Sequence, residues 1–258
     1  YRENLLRFTT DEKQAIRDAE VLFLTVGTPS DREGRADMQY VDAAVHTIAD
    51  VLHEDPTYKL IVTKSTVPVG TARRLEIILR ERAVGEFDIA SNPETLAEGS
   101  AVKDALEPTR IIVGTESERA KKIFLELYAP FFEPQWQRIH FMSWESAEFV
   151  KYACNTYLAC QVALTDALGN IAKRKGANYR EMIPAILADP RIGKFVNPGL
   201  GFGGSCFSKD MSALITMMKD AGAPVADINF LDDLLAQNLE QKHALSSMLE
   251  KVYPDGLY

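Results

Sequence analysis

Residues 21–29 read VLFLTVGTP, an apolar run followed at once by a turn of small residues. A run without polar alternation is typical of a parallel strand that is buried on both faces. The same kind of run recurs along the first half of the chain, and helical spacing of apolar residues separates one run from the next. We predict strands over residues 21–26, 60–64, 87–90, 111–113 and 139–141, and helices over residues 41–52, 71–82 and 117–131.

This alternation predicts an α/β fold over residues 1–143, a partial doubly wound parallel sheet of the Rossmann-like type. Residues 144–258 carry helical periodicity instead and predict an all-helical central domain. The longest periodic stretch, residues 144–176, is apolar almost all round and ends in basic residues. We expect it to be a long helix buried on several sides, followed by helices over residues 179–189 and 225–252.

The composition describes an ordinary globular protein: 46% of the 258 residues are hydrophobic and 26% are charged. A net charge of −8 argues against a nucleic-acid partner, and no long uncharged apolar stretch suits a membrane. Three cysteines, an odd number, indicate a reducing compartment, so we expect a cytoplasmic protein. The four histidines are scattered, and we expect no metal site.

Residues 199–210, GLGFGGSCFSKD, combine a glycine-rich backbone with a thiol. The apolar spacing that follows predicts a helix with Cys206 at its N-terminus, where free N–H groups favour a thiolate. Asp210 lies one helical turn further on. The commoner role of a single cysteine is that of a small buried hydrophobe. The G-x-G-x-x-G pattern here is not a dinucleotide fingerprint, because Pro198 argues against a strand before it.

Three polar loops follow predicted strands. The first is the small-residue turn at residues 27–29, the second is STVPVGT with Thr66, and the third is SNPETLAEG with Glu94 and Glu98. Doubly wound sheets bind ligands at the carboxyl ends of their strands. Each loop alone is compatible with a plain connector. Three such loops at the same edge indicate a ligand site.

The predicted long helix carries a polar stripe. Lys151 and Asn155 stand four residues apart, with Glu148 and Asp166 close to the same line. A buried lysine or asparagine needs a partner, so this stripe marks a candidate site. The alternative is a lysine whose ammonium reaches the solvent beside a surface-facing asparagine. The other two cysteines of the chain lie in this helix without a shared face, and we expect them to pack in the core.

The residues GFGGSCFSKD resemble the catalytic-cysteine signature of the UDP-glucose/GDP-mannose dehydrogenase family, although Ser208 stands where many members have proline. The three loops resemble the VGTP, STVPVG and NPE-x-L-x-EG segments of that family, in the same order. Lys151 and Asn155 match its K-x-x-x-N helix. The resemblance covers nearly the whole chain and is closest to the branch that oxidises UDP-glucose.

The resemblance implies an NAD-dependent dehydrogenase that oxidises UDP-glucose to UDP-glucuronate in two steps, through a thiohemiacetal and a thioester at Cys206. A dehydrogenase of GDP-mannose or of a UDP-N-acetylhexosamine would share the same catalytic residues. A dehydrogenase of the hydroxyacid type, with its lysine on the long helix, would need no thiol. A module without catalysis that dimerises through its long helix is the remaining alternative.

The resemblance also implies a role for each matching residue. Catalysis is assigned to the nucleophile Cys206, the oxyanion-stabilising Lys151, Asn155 and Thr66 as holders of a water, and Glu98 as acid–base helper. Asp210 is assigned either the orientation of Lys151 and that water or the role of a base within one water's reach. Cofactor contacts are assigned to Gly27, Thr28, Pro29, Thr66, Glu98 and Lys209. Substrate contacts are assigned to Glu94, Thr95, Leu96, Ala97, Glu98, Lys151, Asn155, Arg191, Phe195, Val196, Asn197, Pro198, Gly199 and Gly203. A solvated surface arginine is the alternative for Arg191.

A glycine-rich turn and a ribose-binding acid are missing after the first predicted strand. In the family these features precede the segment that matches residues 1–7, so we expect the chain to begin after the first βαβ unit of its NAD domain. We likewise expect it to lack the domain that grips UDP in the family. The 258 residues alone should therefore show little or no activity. We expect a homodimer formed through the helix at residues 144–176.

Overall fold

A computed structural model describes residues 6–82, 85–132, 138–193, 195–204 and 206–253. The chain forms two compact units. The first contains the described residues up to Asp31 together with Ala36–Lys151, and the second contains Arg32–Arg35 and the described residues from Tyr152 onward. The long helix α6, Trp144–Arg174, begins in the first unit and continues in the second. The predicted domain boundary at 143/144 stays a prediction.

The first unit alternates strands and helices as expected. Its described elements are α1 (Glu12–Asp18), β1 (Val21–Leu24), α2 (Gln39–Glu54), β2 (Lys59–Thr63), α3 (Thr71–Arg82), β3 (Phe87–Ser91), α4 (Ala101–Leu106), β4 (Ile111–Gly114), α5 (Glu118–Phe132) and β5 (Ile139–Met142). The strands form one sheet in the order β1-β2-β3-β4-β5. The predicted α/β class with a helical part is confirmed.

Strands β1, β2 and β3 are parallel, and β4 is parallel to β5, but β3 and β4 meet antiparallel through the pair Ser91 and Gly114. The sheet is therefore mostly parallel, as the predicted fold class requires, with one antiparallel junction that the sequence did not indicate. A parallel connection needs a crossover element that packs on the sheet. The only helix in the described connection is α4, and none of its residues is buried. Without a packed crossover helix, the chain does not run back to the starting end of the sheet, and β4 therefore joins β3 in the opposite direction.

Apolar clusters cover both faces of the sheet. On one face, Ile61 and Ile89 pack with buried residues of α2 and α3. On the other face, their neighbours Leu60, Val62 and Ala90 pack with α5. Successive residues of a strand point to opposite faces, so a strand covered on both faces needs apolar residues throughout. This explains the continuous runs in the sequence and agrees with the doubly wound type.

The second unit is helical. Besides the continuation of α6, its described helices are α7 (Tyr179–Leu187), α8 (Cys206–Asp220) and α9 (Val225–Val252). Residues of α6, α8 and α9 share one apolar cluster around Tyr152, Met211 and Leu231. The glycine-rich segment precedes α8 in the sequence. Among the described residues, no helix combines the length and apolarity that a membrane crossing requires.

Two short helices, α1 and α4, were not predicted. Helix α1 buries only Ile16, and α4 buries none of its six residues. An apolar stripe is the signal by which a helix is recognised in a sequence, and these segments lack one. Helix α1 is nevertheless capped, since Asp11 accepts a hydrogen bond from the Gln14 N–H at 3.0 Å.

Glu148, on the first turns of α6, caps another helix of the first unit. Its carboxylate accepts hydrogen bonds from the N–H groups of Gly70, at 2.6 Å, and Ala72, at 2.8 Å, where α3 begins. Glu148 is 2% exposed. Burial raises the pKa of its carboxyl group to about 7, against the opposing effect of the two backbone hydrogen bonds. The loop that precedes α3 is thus tied to a group that titrates near neutral pH.

We predict that Glu148→Gln changes the pH dependence of stability. Because its pKa is raised in the folded state, Glu148 keeps a proton that the unfolded chain gives up between about pH 4.5 and pH 7. Its contribution to the free energy of unfolding is therefore present below this range and is lost as the pH rises. Urea unfolding from about pH 5 to pH 8 should show the original chain losing up to about 3 kcal/mol relative to Glu148→Gln. The exposed Glu126→Gln is the control, and an equally large change there would contradict the assignment to Glu148.

Candidate active site

The loops after β1, β2 and β3 lie at one edge of the sheet in the first unit. The strands are in register, with Leu24 beside Thr63 and Thr63 beside Ser91, so the loops that follow start side by side. The Thr28 hydroxyl donates a hydrogen bond to the Thr66 carbonyl at 2.7 Å. The structure thus brings together two of the residues predicted to hold the cofactor.

The turn at residues 27–29 leaves space on the outside of this edge. Apart from its two chain neighbours, no atom of the described residues lies within 4 Å of the position that a Cβ would take at Gly27. Thr28, by contrast, is buried. A planar ligand group could therefore approach the backbone at Gly27 while the hydrogen bond between Thr28 and Thr66 fixes the loop on its inner side.

Lys151 reaches the same edge from α6. Its ammonium forms an ion pair with Glu94 in the loop after β3, and Lys151 is only 8% exposed. The second oxygen of Glu94 accepts a hydrogen bond from the Leu96 N–H at 2.7 Å. The alternative of a lysine that extends into solvent is wrong. Lys151 and Glu94, both predicted site residues, form a fixed charge pair.

The rest of the third loop is a turn on the surface. The Ala97 N–H donates to Asp104 at 2.9 Å, and Glu98 is exposed. The acid–base role assigned to Glu98 stays a prediction. Thr95 is half-buried beside Glu94.

Two polar residues that the sequence interpretation overlooked complete this edge. The Lys64 ammonium donates to the side-chain oxygen of Asn92 at 3.3 Å. The Asn92 amide nitrogen in turn donates to the Ile112 carbonyl at 2.7 Å, and Asn92 is 1% exposed. Burial lowers the pKa of Lys64, with a further lowering by the charge of Lys151 and an opposing effect of Glu94. The signal that could have found both residues is their position directly after buried strands.

In the second unit, the glycine-rich segment is held by buried side chains. Asp166 of α6 accepts hydrogen bonds from the N–H groups of Gly199, at 2.5 Å, and Gly201, at 3.1 Å. Asn238 of α9 exchanges two hydrogen bonds with the backbone of Phe202, at 2.7 and 3.2 Å. Asp166 and Asn238 are 1% and 3% exposed. The sequence analysis identified only Asp166, which lies near the polar stripe of the long helix. No feature of the residues around Asn238 indicates its role.

Other contacts support the segment before it. The Gln241 amide donates to the Gly199 carbonyl at 2.5 Å, and the Thr165 hydroxyl donates to the Phe195 carbonyl at 2.6 Å. Val196 is buried, whereas Asn197 and Pro198 are exposed. Together with Asp166 and Asn238, these contacts give the predicted substrate loop a fixed backbone in the second unit.

Cys206 is the first residue of α8 and is exposed. The predicted helix start is therefore confirmed. One turn further on, Asp210 is 2% exposed and accepts a hydrogen bond from the Asn155 amide at 2.6 Å. The Lys209 ammonium lies 3.1 Å from the other oxygen of Asp210, which accepts no hydrogen bond from the described residues. Asn155 is buried as well, so the alternative of a surface-facing asparagine is wrong.

The Arg191 side chain is engaged in an ion pair with a nearby carboxylate. Its guanidinium forms an ion pair with Asp189 at 2.6 Å, and its side chain is 87% exposed. The Asp189 carboxylate raises the pKa of Arg191. The predicted contact of Arg191 with a substrate anion would require exchange of this exposed, weak ion pair. It stays a prediction.

The remaining cysteines differ from Cys206 in exposure. Cys154 and Cys160 of α6 are half-buried, and burial raises the pKa of the Cys160 thiol. Within the described part of the chain, no group of His, Cys, Asp and Glu side chains is arranged to hold a metal ion. Cys206 offers an exposed thiol at the start of a helix. Lys151 offers a buried ammonium paired with Glu94, and Asp210 offers a buried carboxylate hydrogen-bonded to Asn155.

Comparison with known proteins gives a consistent assignment. Residues 1–132 match the family described as UDP-glucose/GDP-mannose dehydrogenase family, NAD binding domain, and residues 145–238 match the central domain of the same family. The chain is 40% identical over 248 residues to a UDP-glucose 6-dehydrogenase of Bacillus subtilis, covering 95% of this chain and 52% of the relative. The chain spans about half the length of the curated relatives it matches.

Solved structures agree. A UDP-glucose dehydrogenase from the hyperthermophilic archaeon Pyrobaculum islandicum matches with a TM-score of 0.88 and 34% identity, covering 96% of this chain and 56% of that one. A GDP-mannose dehydrogenase from Pseudomonas aeruginosa matches with a TM-score of 0.66 and 30% identity, covering 90% and 54%.

We predict that two glycines of the loop before α8 differ in their tolerance of alanine. Gly201 has φ +83°, and a Cβ there would lie 2.5 Å from the Asn238 side-chain oxygen. Among the residues that the structure describes, and leaving out its two chain neighbours, Gly203 has no atom within 4 Å of its Cβ position. Gly201→Ala should therefore lower the free energy of unfolding by about 2–4 kcal/mol, and Gly203→Ala by less than about 1 kcal/mol. Urea unfolding measures both, and equal losses would contradict the described anchoring.

Proposed function

Since the chain belongs to the UDP-glucose/GDP-mannose dehydrogenase family, we propose that it carries the catalytic core of an NAD-dependent enzyme that oxidises UDP-glucose to UDP-glucuronate. The substrate is inferred from relatives named UDP-glucose 6-dehydrogenase. The observation that carries the proposal is the exposed thiol of Cys206 at the start of α8, one turn from the buried Asp210. The family that the sequence motifs predicted is confirmed.

The residues at the carboxyl edge of β1 and β2 fit the cofactor. NAD⁺ would be held by Gly27, Thr28, Pro29 and Thr66, where the open space at Gly27 admits a planar ring and the threonine contact fixes the loop. When bound, NAD⁺ supplies the acceptor for a hydride in each of the two oxidations. Lys209 and Glu98 are further proposed cofactor contacts.

Cys206 is the proposed nucleophile. In the first oxidation, the hydroxymethyl carbon of the sugar loses a hydride and its hydroxyl loses a proton, which gives an aldehyde. The Cys206 sulfur then bonds to the carbonyl carbon while its proton passes to the carbonyl oxygen, which forms a thiohemiacetal. Loss of a second hydride from that carbon, together with the hydroxyl proton, gives a thioester. Attack by water breaks the carbon–sulfur bond and releases the carboxylate and the free thiol. A sulfur nucleophile thus divides a four-electron oxidation into two similar steps.

Buried charged and polar groups are proposed to assist these steps. We assign to Lys151 the stabilisation of the oxyanions, because a buried ammonium held by Glu94 is a preorganised positive charge, which can contribute roughly 3–4 kcal/mol. Asp210, held by Asn155, is proposed to accept a proton from the attacking water. Thr66 would hold that water with Asn155. These roles follow from the family resemblance and from the pairing within each unit.

A second candidate substrate is GDP-mannose, because the Pseudomonas aeruginosa structure is a GDP-mannose dehydrogenase. The same catalytic residues serve either sugar, so only turnover of each nucleotide sugar by the whole protein separates them. A dehydrogenase of the hydroxyacid type would need no thiol and would keep its activity after the thiol is removed. The test of Cys206 below decides this point as well.

We also propose a homodimer formed through α6. Within the second unit, this helix exposes apolar side chains at helical spacing: Tyr157, Leu164, Leu168 and Ile171, which are 73%, 61%, 46% and 59% exposed. A contiguous apolar stripe of this kind marks an interaction surface. A second copy of the chain would present the same stripe. A cytoplasmic location stays a prediction.

We predict that Cys206→Ala abolishes formation of uronate in the whole protein that carries this chain, because no thioester can form. Cys160→Ala, which removes a half-buried thiol, is the matched control and should retain turnover. Production of NADH and uronate with UDP-glucose measures the effect. Full turnover of Cys206→Ala would rule out covalent capture at this residue.

We predict that Leu164→Asp weakens the dimer at least tenfold, because a charge placed in an apolar contact loses its hydration. Sedimentation equilibrium of the 258-residue chain gives the dissociation constant. Val102→Asp makes the same change at a residue of α4 that is 76% exposed, and it should leave the dimer intact. An unchanged dimer in Leu164→Asp would place the interface elsewhere.

A further inference from the structure

The loop before α8 is hydrogen-bonded to a residue of α9 that the proposed function does not use. Gln241 donates a hydrogen bond from its amide nitrogen to the Gly199 carbonyl at 2.5 Å. Gln241 is 8% exposed. The family resemblance assigns a substrate contact to Gly199. A buried side chain of α9 is therefore bound directly to a residue that is expected to meet the sugar nucleotide.

The orientation of the Gln241 amide group is determined by its two partners. A carbonyl oxygen only accepts hydrogen bonds, so the amide nitrogen of Gln241 must face Gly199. The Gln241 side-chain oxygen accepts a hydrogen bond from the Asn170 amide of α6 at 2.8 Å. Reversal of the Gln241 amide would place two oxygens together at Gly199 and two amide nitrogens together at Asn170. The two contacts therefore hold Gln241 in one orientation.

Both polar backbone groups of Gly199 are bound by buried side chains. Its N–H donates to Asp166 of α6 at 2.5 Å, and its carbonyl accepts the hydrogen bond from Gln241. A glycine has wide backbone freedom, so these two contacts from different helices restrict a residue that would otherwise rotate easily. Apart from its two chain neighbours, no atom of the described residues lies within 4 Å of the Cβ position of Gly199, which is exposed. Gly199 is thus anchored through its backbone and open to a ligand on its Cβ side.

We propose that Gln241 is a positioning residue for the sugar nucleotide, which acts through Gly199 by fixing the backbone of the substrate loop. The proposal rests on the proposed function and extends it to α9, to which no catalytic role is assigned. Helix α8, which carries Cys206, is held separately, because it packs through Met211 and Leu214 in the apolar cluster of the second unit. Loss of the Gln241 contact should therefore weaken binding of the nucleotide sugar more than it slows the chemical steps.

Steady-state kinetics of the whole protein that carries this chain test the proposal. Gln241→Met keeps a side chain of similar length without the amide, and KM for the nucleotide sugar should rise about fivefold while kcat changes less than about twofold. Gln241→Glu keeps the acceptor for Asn170 but sets a carboxylate oxygen against the Gly199 carbonyl, so KM should rise further, about tenfold. Asn229→Asp makes the same change from amide to carboxylate at an exposed position of α9, and it should leave KM and kcat unchanged.

Amide hydrogen exchange tests the anchor itself in the 258-residue chain, without turnover. In Gln241→Met, the Gly199 N–H should exchange about tenfold faster, because one of the two contacts that hold this residue is gone. The Phe202 N–H donates to Asn238 at 2.7 Å and does not depend on Gln241, so its exchange rate should stay the same. Equal acceleration at both amides would mean that the whole segment loosens, and it would overturn the specific role of Gln241.

The outcomes separate this proposal from the one on which it rests. An unchanged KM in Gln241→Met, beside an original protein that oxidises the nucleotide sugar, overturns the role of Gln241 alone. If the original protein oxidises neither UDP-glucose nor GDP-mannose, the proposed function is overturned and the role of Gln241 in that reaction falls with it. A raised KM in both Gln241 variants with kcat retained supports the proposal, because partial unfolding would lower kcat and leave KM unchanged.

Discussion

The register of β1, β2 and β3 is the constraint on which the first unit depends. Leu24, Thr63 and Ser91 stand side by side, so the three loops that follow must begin at the same level. A slip of one residue in any strand would turn its side chains to the opposite face. It would place Ile61 among the partners of Leu60, on the wrong apolar cluster, and move Lys64 and Thr66 out of reach of their partners. The same strand register therefore determines both the packing of the core and the geometry of the site.

Most strands and helices could be predicted from the spacing of apolar residues. Strands that are buried on both faces of the sheet need continuous apolar runs, which are easily recognised in the sequence. Helix α3 occupies the residues that were predicted for it, 71–82, and α9 occupies 225–252. The antiparallel junction between β3 and β4 could not be predicted, because the residues of a strand do not determine the direction in which it joins a sheet. That direction depends on whether the connecting helix packs on the sheet, and α4 does not.

The candidate site shows the same division between local and tertiary signals. Cys206 and Asp210 were predictable together, since one helix start fixes both. Asn238 was not, because it acquires its role from a partner distant in the sequence, Phe202, and nothing in its own neighbourhood marks it. Lys64 and Asn92 were marked only by their position directly after buried strands, and their mutual contact is a tertiary one. Side chains that support a site are therefore harder to predict from motifs than the site itself.

Helix α6 shows why polar residues can occupy a largely apolar helix. Glu148, Lys151, Asn155 and Asp166 would each cost free energy if buried without a partner. Each is satisfied within its own unit: Glu148 by the start of α3, Lys151 by Glu94, Asn155 by Asp210, and Asp166 by the glycine-rich loop.

These residues stand three, four and eleven positions apart, close to whole helical turns of 3.6 residues. An insertion of one residue within this span would rotate the following members by about 100° and leave them buried without partners. The spacing along a single helix thus constrains a helix cap, an ion pair, a carboxamide contact and a loop anchor at once. The positions of these four polar residues indicate function better than the overall composition of the helix does. Each of them has its own partner, which offsets the free-energy cost of burying it.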